Sequence, residues 1–393
     1  MRKIKNLYLY DIIVFMTIWV YFSLNANYID FPGSHILRWV FPGILIILGI
    51  MRNGGRIIKP PGILIWISIA VFPSIIFSSY ANIAFIKYLS IVVILYGSYI
   101  FFCYLNNKKL LVRYFDIFIT VIIIFQILNF IFVILGINYD SGRALGITTN
   151  SNTLGVYSNL SYLAIIYLLF NKIKSKTSKI VYFGLLLTSV YTSIASGSRA
   201  AFIVLIINIL ASLFLKFKRS PFMLFCFIIA GVFFYIFISD KIDSLNIVAL
   251  NRLIDEGTSR ADLWNVAISV WEKHQIFGVG YTVSNYYNLL EKGMAFHNSY
   301  ISYLVETGVW GVIFLSIGFI VLIIKIWNTL SIYKYRASES RNALFFACFM
   351  GLSLLIAAWS ESFLFAVGST EGFIFWFLIA WILSYISKMC NGE

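Results

Sequence analysis

What most constrains this chain is a repeated pattern of apolar runs. Each is about as long as the ~20 residues a helix needs to cross a bilayer, and short polar breaks separate them. The runs fall near 8–24, 36–50, 62–79, 83–104, 114–137, 153–170, 180–196, 200–216, 221–238, 309–327, 342–359 and 372–387. With 61% hydrophobic and only 12% charged residues, no soluble fold could cover that much apolar surface. The expected fold class is all-α: one transmembrane domain over 1–393, with about twelve spanning helices. The basic opening MRKIK precedes the first run without a small-residue cleavage site, so that run reads as a retained helix rather than a cleaved signal.

The distribution of charge orients the bundle. Placing the N-terminus inside puts Arg2, Lys3, Lys5, Arg52, Lys108, Lys109, Arg113, the Lys172–Lys179 cluster, Lys325 and Lys388 on one side, and most acids on the other. The expected topology is therefore N-in and C-in. The formal net charge of +14 then follows from topology and from attraction to anionic inner-leaflet lipids, so nucleic acid is not an expected partner. The cysteines Cys103, Cys226, Cys348 and Cys390 fall in inner halves of spans or in the cytoplasmic tail, with no metal-binding spacing. No phosphate loop and no DxD pair occurs, and neither a cofactor nor a metal is expected.

Chemistry is expected in the segment 239–298, an external loop of about sixty residues between the ninth and tenth spans. Within it, TSRADLWNVAISVWEKH reads as an amphipathic helix with Ala261, Trp264, Ile268 and Trp271 on one face, and with Ser259 and Asp262 in capping-box register. The tryptophans suit headgroup depth. Arg260 sits in the first turn, the unfavourable end of the helix dipole for a cation, so it reads either as a phosphate ligand or as a headgroup anchor. Arg199 in ASGSRAAF and Arg143 in DSGRALGITTNSNTLG lie in other outer turns; each can snorkel, and together with Arg260 they can converge on one polyanion. In AFHNSYISYLVETGVWG, His297 and Asn298 end the long loop, and Ser299 to Thr307 should form a short surface helix. Gly308 and Gly311 then allow a bend into the tenth span, with Glu306 at the lip of the bilayer.

The run His297-Asn298, nine residues, Gly308, two residues, Gly311 resembles the signature of the O-antigen ligase and polysaccharide polymerase superfamily. RALGITTNSNTLG, SGSRAAF and SRADLWNVAISVWEKHQIFGVGY precede it in the family's order. The resemblance implies a membrane-embedded glycosyltransferase of GT-C-like type. It would work without a metal, invert the anomeric centre, and act at the outer face on oligosaccharide carried by undecaprenyl diphosphate. It casts Arg199 and Arg260 as diphosphate clamps and His297 as the group that activates the acceptor. Arg143, Asn298, Glu306 and Tyr281 of FGVGY become candidate substrate contacts, with Asn298 or Glu306 available to orient the histidine ring. The expected activity is polymerisation of O-antigen, capsule or exopolysaccharide repeat units; the alternative is a ligase delivering glycan to a lipid A core. Membrane lipids, a chain-length regulator and a flippase are the implied partners. A transporter fits less well, because charges sit at span ends rather than at the midplane and no internal repeat is visible.

Overall fold

The computed structural model describes residues 2–29, 33–55, 57–105, 108–216, 258–287, 296–332 and 339–390. Among them are twelve α-helices: α1 (Arg2–Leu24), α2 (Ser34–Arg52), α3 (Gly62–Ile76), α4 (Ala81–Cys103), α5 (Lys108–Ile134), α6 (Ser151–Asn171), α7 (Lys176–Ala195), α8 (Arg199–Lys216), α9 (Thr258–Lys273), α10 (Ser299–Ile332), α11 (Glu339–Ala357) and α12 (Thr370–Cys390). A two-residue hairpin, β1 (Tyr139–Asp140) and β2 (Arg143–Ala144), stands between α5 and α6. Eight helices are long and apolar enough to cross a membrane, and α1, α3 and α8 contain shorter apolar stretches. Every expected span except 221–238 coincides with a helix; that one, with parts of the external loop at 239–257 and 288–295, lies outside the described residues.

Burial separates interior from lipid-facing helices. The apolar windows of α6 and α12 are 78% and 89% buried, against 17% for α7, so α6 and α12 are the most enclosed of the spanning helices. Along α6 the contacts are polar as well as apolar. Ser161 bonds Gln126 Oε1 of α5 at 3.1 Å, Ser158 meets Thr192 of α7 at 2.8 Å, and Asn159 donates to the Ala201 carbonyl of α8 at 2.8 Å. Hydroxyls and amides of this kind hold helices together where lipid supplies no hydrophobic drive between them. Gly155 lets α8 come close, since a Cβ there would lie 2.4 Å from the Ala201 Cβ. These contacts fix the turn 196–198, and with it Arg199, against the start of α6.

The linkers gather at two ends of the bundle. At one end, Asn27 N–H bonds the Ile147 carbonyl, Asn25 reaches Glu371, and Ser78 donates to the Val279 carbonyl, which joins the loops after α1, α3, α5 and α9 to the start of α12. At the other end, Lys172 bridges Asp116 and Glu339, and Arg113 pairs with Asp11.

Candidate functional site

The histidine motif begins α10. Asn298 is its cap: the side-chain oxygen accepts from the backbone N–H groups of Tyr300 and Ile301 at 2.9 and 3.1 Å, satisfying donors that a helix start leaves open. Its Nδ2 is buried without a hydrogen-bond partner, an open donor beside the histidine. His297, just before the cap, has φ 49, an uncommon left-handed backbone for a residue with a side chain.

The imidazole meets a residue that no sequence motif marks. Glu361, in the loop between α11 and α12, places Oε2 3.1 Å from His297 Nδ1. This loop is wrapped onto the start of α10: Ser299 N–H bonds the Ala358 carbonyl, Ser299 Oγ donates to the Glu361 carbonyl at 2.6 Å, and the same hydroxyl accepts from the N–H groups of Phe363 and Leu364. Glu361 Oε1 accepts from Asn152 Nδ2, in the first turn of α6. Asn152 Oδ1 accepts from Arg143 Nη2 at 2.7 Å, and Arg143 Nε donates to the Ser196 carbonyl at 2.9 Å. A continuous relay thus runs from His297 through Glu361, Asn152 and Arg143 to the turn that carries Arg199.

The relay's chemistry follows from its donors and acceptors. An ionised carboxylate only accepts, so a His297–Glu361 bond puts the ring proton on Nδ1 and leaves the Nε2 lone pair for an incoming proton. The His297 side chain is 39% exposed and Glu361 only 16%, so the imidazole is open at the surface while the carboxylate that orients it is sheltered. Arg143 and Asn152 fix the rotamer of Glu361 as outer partners fix a histidine–carboxylate pair elsewhere.

The other expected residues are distributed around this relay. Arg199 opens α8 and is half-buried. Arg260 lies in the first turn of α9, with its side chain and those of Ser259 and Ala261 outside the described residues. The packed face of α9 runs from Trp264 and Trp271 round to Ala267 and Val270, which join Val279, Phe296 and Val305 in a small core. Trp264 Nε1 donates to the Phe296 carbonyl at 3.0 Å, so this tryptophan ties α9 to the residue preceding His297. Tyr281 is fully buried, its hydroxyl 3.4 Å from the Phe365 carbonyl. Glu306 is buried one helical arm away from the imidazole and bonds Ser284 at 2.8 Å. The ring is therefore oriented by Glu361, and not by Asn298, which caps the helix, or by Glu306. Neither Glu361 nor Asn152 is adjacent to the motif in sequence, although Asn152 lies in the Asn- and Thr-rich stretch that opens α6.

Fold and site define a class: an all-α, multi-pass membrane protein whose helix-linking loops assemble a histidine–carboxylate relay at one end of the bundle. Residues 183–316 match a family model described as O-antigen ligase. The match is consistent with the O-antigen ligase and polysaccharide polymerase superfamily and suggests a glycosyltransferase-like enzyme. It takes in Arg199, Arg260 and His297, whereas Arg143, Asn152 and Glu361 lie outside the matched stretch and reach the histidine only through the fold. No curated protein matches the chain.

Proposed function

We propose that the protein polymerises polysaccharide repeat units at the outer face of a bacterial inner membrane. It would transfer the growing glycan from undecaprenyl diphosphate to a sugar hydroxyl of the next lipid-linked unit, and a chain-length regulator and a flippase would be its partners. The observation that carries this reading is the relay ending on His297, within the stretch that matches the family. In the reaction, the acceptor hydroxyl gives its proton to His297 Nε2 as its oxygen attacks the anomeric carbon from the face opposite the phosphate. The bond from that carbon to the phosphate oxygen breaks, and undecaprenyl diphosphate leaves with the electron pair, so the anomeric centre inverts. Glu361 offsets the charge on the imidazolium, a role worth roughly 10²–10⁴ in rate for the acid–base pair.

The departing diphosphate gains negative charge, which fixed cations must meet. Arg199, three residues beyond the carbonyl that Arg143 holds, and Arg260 are assigned that role; a guanidinium grips phosphate oxygens two at a time. The starts of α6, α8 and α10 open at the same end, and helix N-termini favour anions.

The family match supports a second reading equally, that of a ligase, which would deliver the glycan to a lipid A core. One assay separates the two: purified protein in detergent, chelator, defined undecaprenyl-diphosphate repeat units, and a gel of the sugar products. A ladder lost in His297→Ala supports the polymerase. Transfer that appears only when lipid A core is added makes the protein the ligase. No transfer in either arrangement overturns both.

A further inference from the structure

A cavity of about 260 Å³ lies between the outer part of α4, the loop after α9, the first turns of α10 and the loop that carries Glu361. Phe296 and Ser362, the chain neighbours of His297 and Glu361, form part of its wall. The chamber and the relay therefore share two backbone segments.

Thr282 is the hub of this chamber. It has φ 52, and a β-branched residue in that region is a genuine outlier; such strain persists only where the surroundings hold it, often at binding sites. Its carbonyl accepts from Lys87 Nζ and its backbone N–H donates to the Glu306 carboxylate. Thr282 lines the chamber, and its own hydroxyl is buried without a partner. Lys87 also lies over the Tyr286 ring, 4.9 Å from its centroid. The Glu306 carboxylate accepts in addition from the Ser284 hydroxyl at 2.8 Å and the Ser284 backbone. A carboxylate has about four acceptor positions and an ammonium three donors, so each keeps capacity for a ligand.

Burial pushes the Glu306 carboxyl up to about 7, so Lys87 stands beside an acidic group that is partly ionised at neutral pH, a poor match for the charge of a leaving diphosphate. Lys87 and Glu306, held by the carbonyl and the N–H of Thr282, offer a donor and an acceptor that match the two hydroxyls of a vicinal diol, which accepts from one and donates to the other. The aromatic faces of Phe296, Tyr303 and Phe365 suit the apolar side of a sugar ring. The volume falls just under the ~300–1,000 Å³ of ordinary small-molecule sites, room for one ring and not a chain of them.

We infer that this chamber is an acceptor subsite that holds one neutral pyranose, its vicinal hydroxyls bridging Lys87 and Glu306, beside the two segments that carry His297 and Glu361. The assignment rests on the glycosyl-transfer reading above. It is tested on the full-length protein in detergent by saturation-transfer NMR with methyl glucoside and methyl N-acetylglucosaminide, and inorganic phosphate as competitor. At least one glycoside should bind the wild type and His297→Ala alike. Binding should weaken about tenfold or more in Lys87→Gln, the loss of one charged hydrogen bond, and in Ala366→Trp, where an exposed alanine on the chamber wall is replaced by a ring that fills it. With two variants, a folding failure in one leaves the other to decide. No glycoside binding to wild type, unchanged binding in both variants, or displacement of the sugar by phosphate overturns the subsite. Transfer that proceeds with an unaltered acceptor KM in both variants overturns the chamber and leaves the enzyme reading standing; sugar binding without transfer does the reverse.

Discussion

His297 is held in an unfavourable backbone conformation, next to a cap residue with an open donor and against a carboxylate from 64 positions further along the chain. The histidine itself was legible from its motif. Glu361 was not, because the contact depends on Ser299, whose amide and hydroxyl pin the 358–364 loop, and nothing local in either segment announces that pairing. If Glu361 fixes the tautomer, Glu361→Gln leaves the side chain's shape but removes the obligate acceptor. We expect kcat to fall on the order of 10²-fold with little change in KM, because an orienting carboxylate acts in the transition state. Asn152→Ala should cost less, about tenfold, since the loop wrapped onto Ser299 still confines Glu361. Wild-type kcat in Glu361→Gln, measured in the transfer assay, would remove the relay from the mechanism.

At the scale of elements, the nine residues between Asn298 and Gly308 are the length of an arm. The sequence places a short surface helix there and a bend at Gly308, and α10 has that form: Gly308 has φ 63 and ψ −171 inside the helix, a region that is essentially glycine's own. The FGVGY stretch, which in sequence is only a turn, explains the bend. Val279 and Gly280 N–H groups bond the Val305 and Glu306 carbonyls at 3.0 Å, and Val309 and Trp310 N–H groups bond the Gln275 and Ile276 carbonyls, so the loop satisfies the backbone groups that the kink frees. The two segments touch backbone to backbone. A Cβ on Gly308 would fall 2.2 Å from the Ile276 oxygen, and one on Gly278 would fall 2.4 Å from the Glu306 carbonyl carbon. Gly308→Ala therefore combines a strained dihedral, costing about 1–3 kcal/mol, with a clash that no rotamer relieves. The thermal midpoint in detergent, followed by tryptophan fluorescence, should drop by several degrees, with transfer activity lost in parallel as the arm carrying His297 shifts. An unchanged midpoint would mean that the loop does not hold the kink.

For the molecule as a whole, apolar run length alone was enough to locate the spanning helices among the described residues, because a bilayer dictates it residue by residue. Which helices are enclosed was not legible: α6 and α7 are both apolar, and only packing shows α6 enclosed and α7 facing outward. The relay, the chamber and the starts of α6, α8 and α10 share one end of the bundle, while Lys108, Lys109, Arg113 and Lys172 share the other, with Asp116 and Glu339 among them. Several of these ion pairs are substantially exposed and contribute little stability, so the fold alone does not account for the basic end. The sidedness can be read directly. In a variant with Cys103, Cys226, Cys348 and Cys390 replaced by serine, Ser141→Cys in the exposed hairpin turn should react with an impermeant maleimide in spheroplasts. Lys174→Cys between α6 and α7 should react only after the membrane is opened. Sugars on undecaprenyl diphosphate reach a polymerase from outside, so the reverse pattern would put the His297 relay in the cytoplasm and rule out this donor for it, whatever the transfer assay shows with solubilised protein.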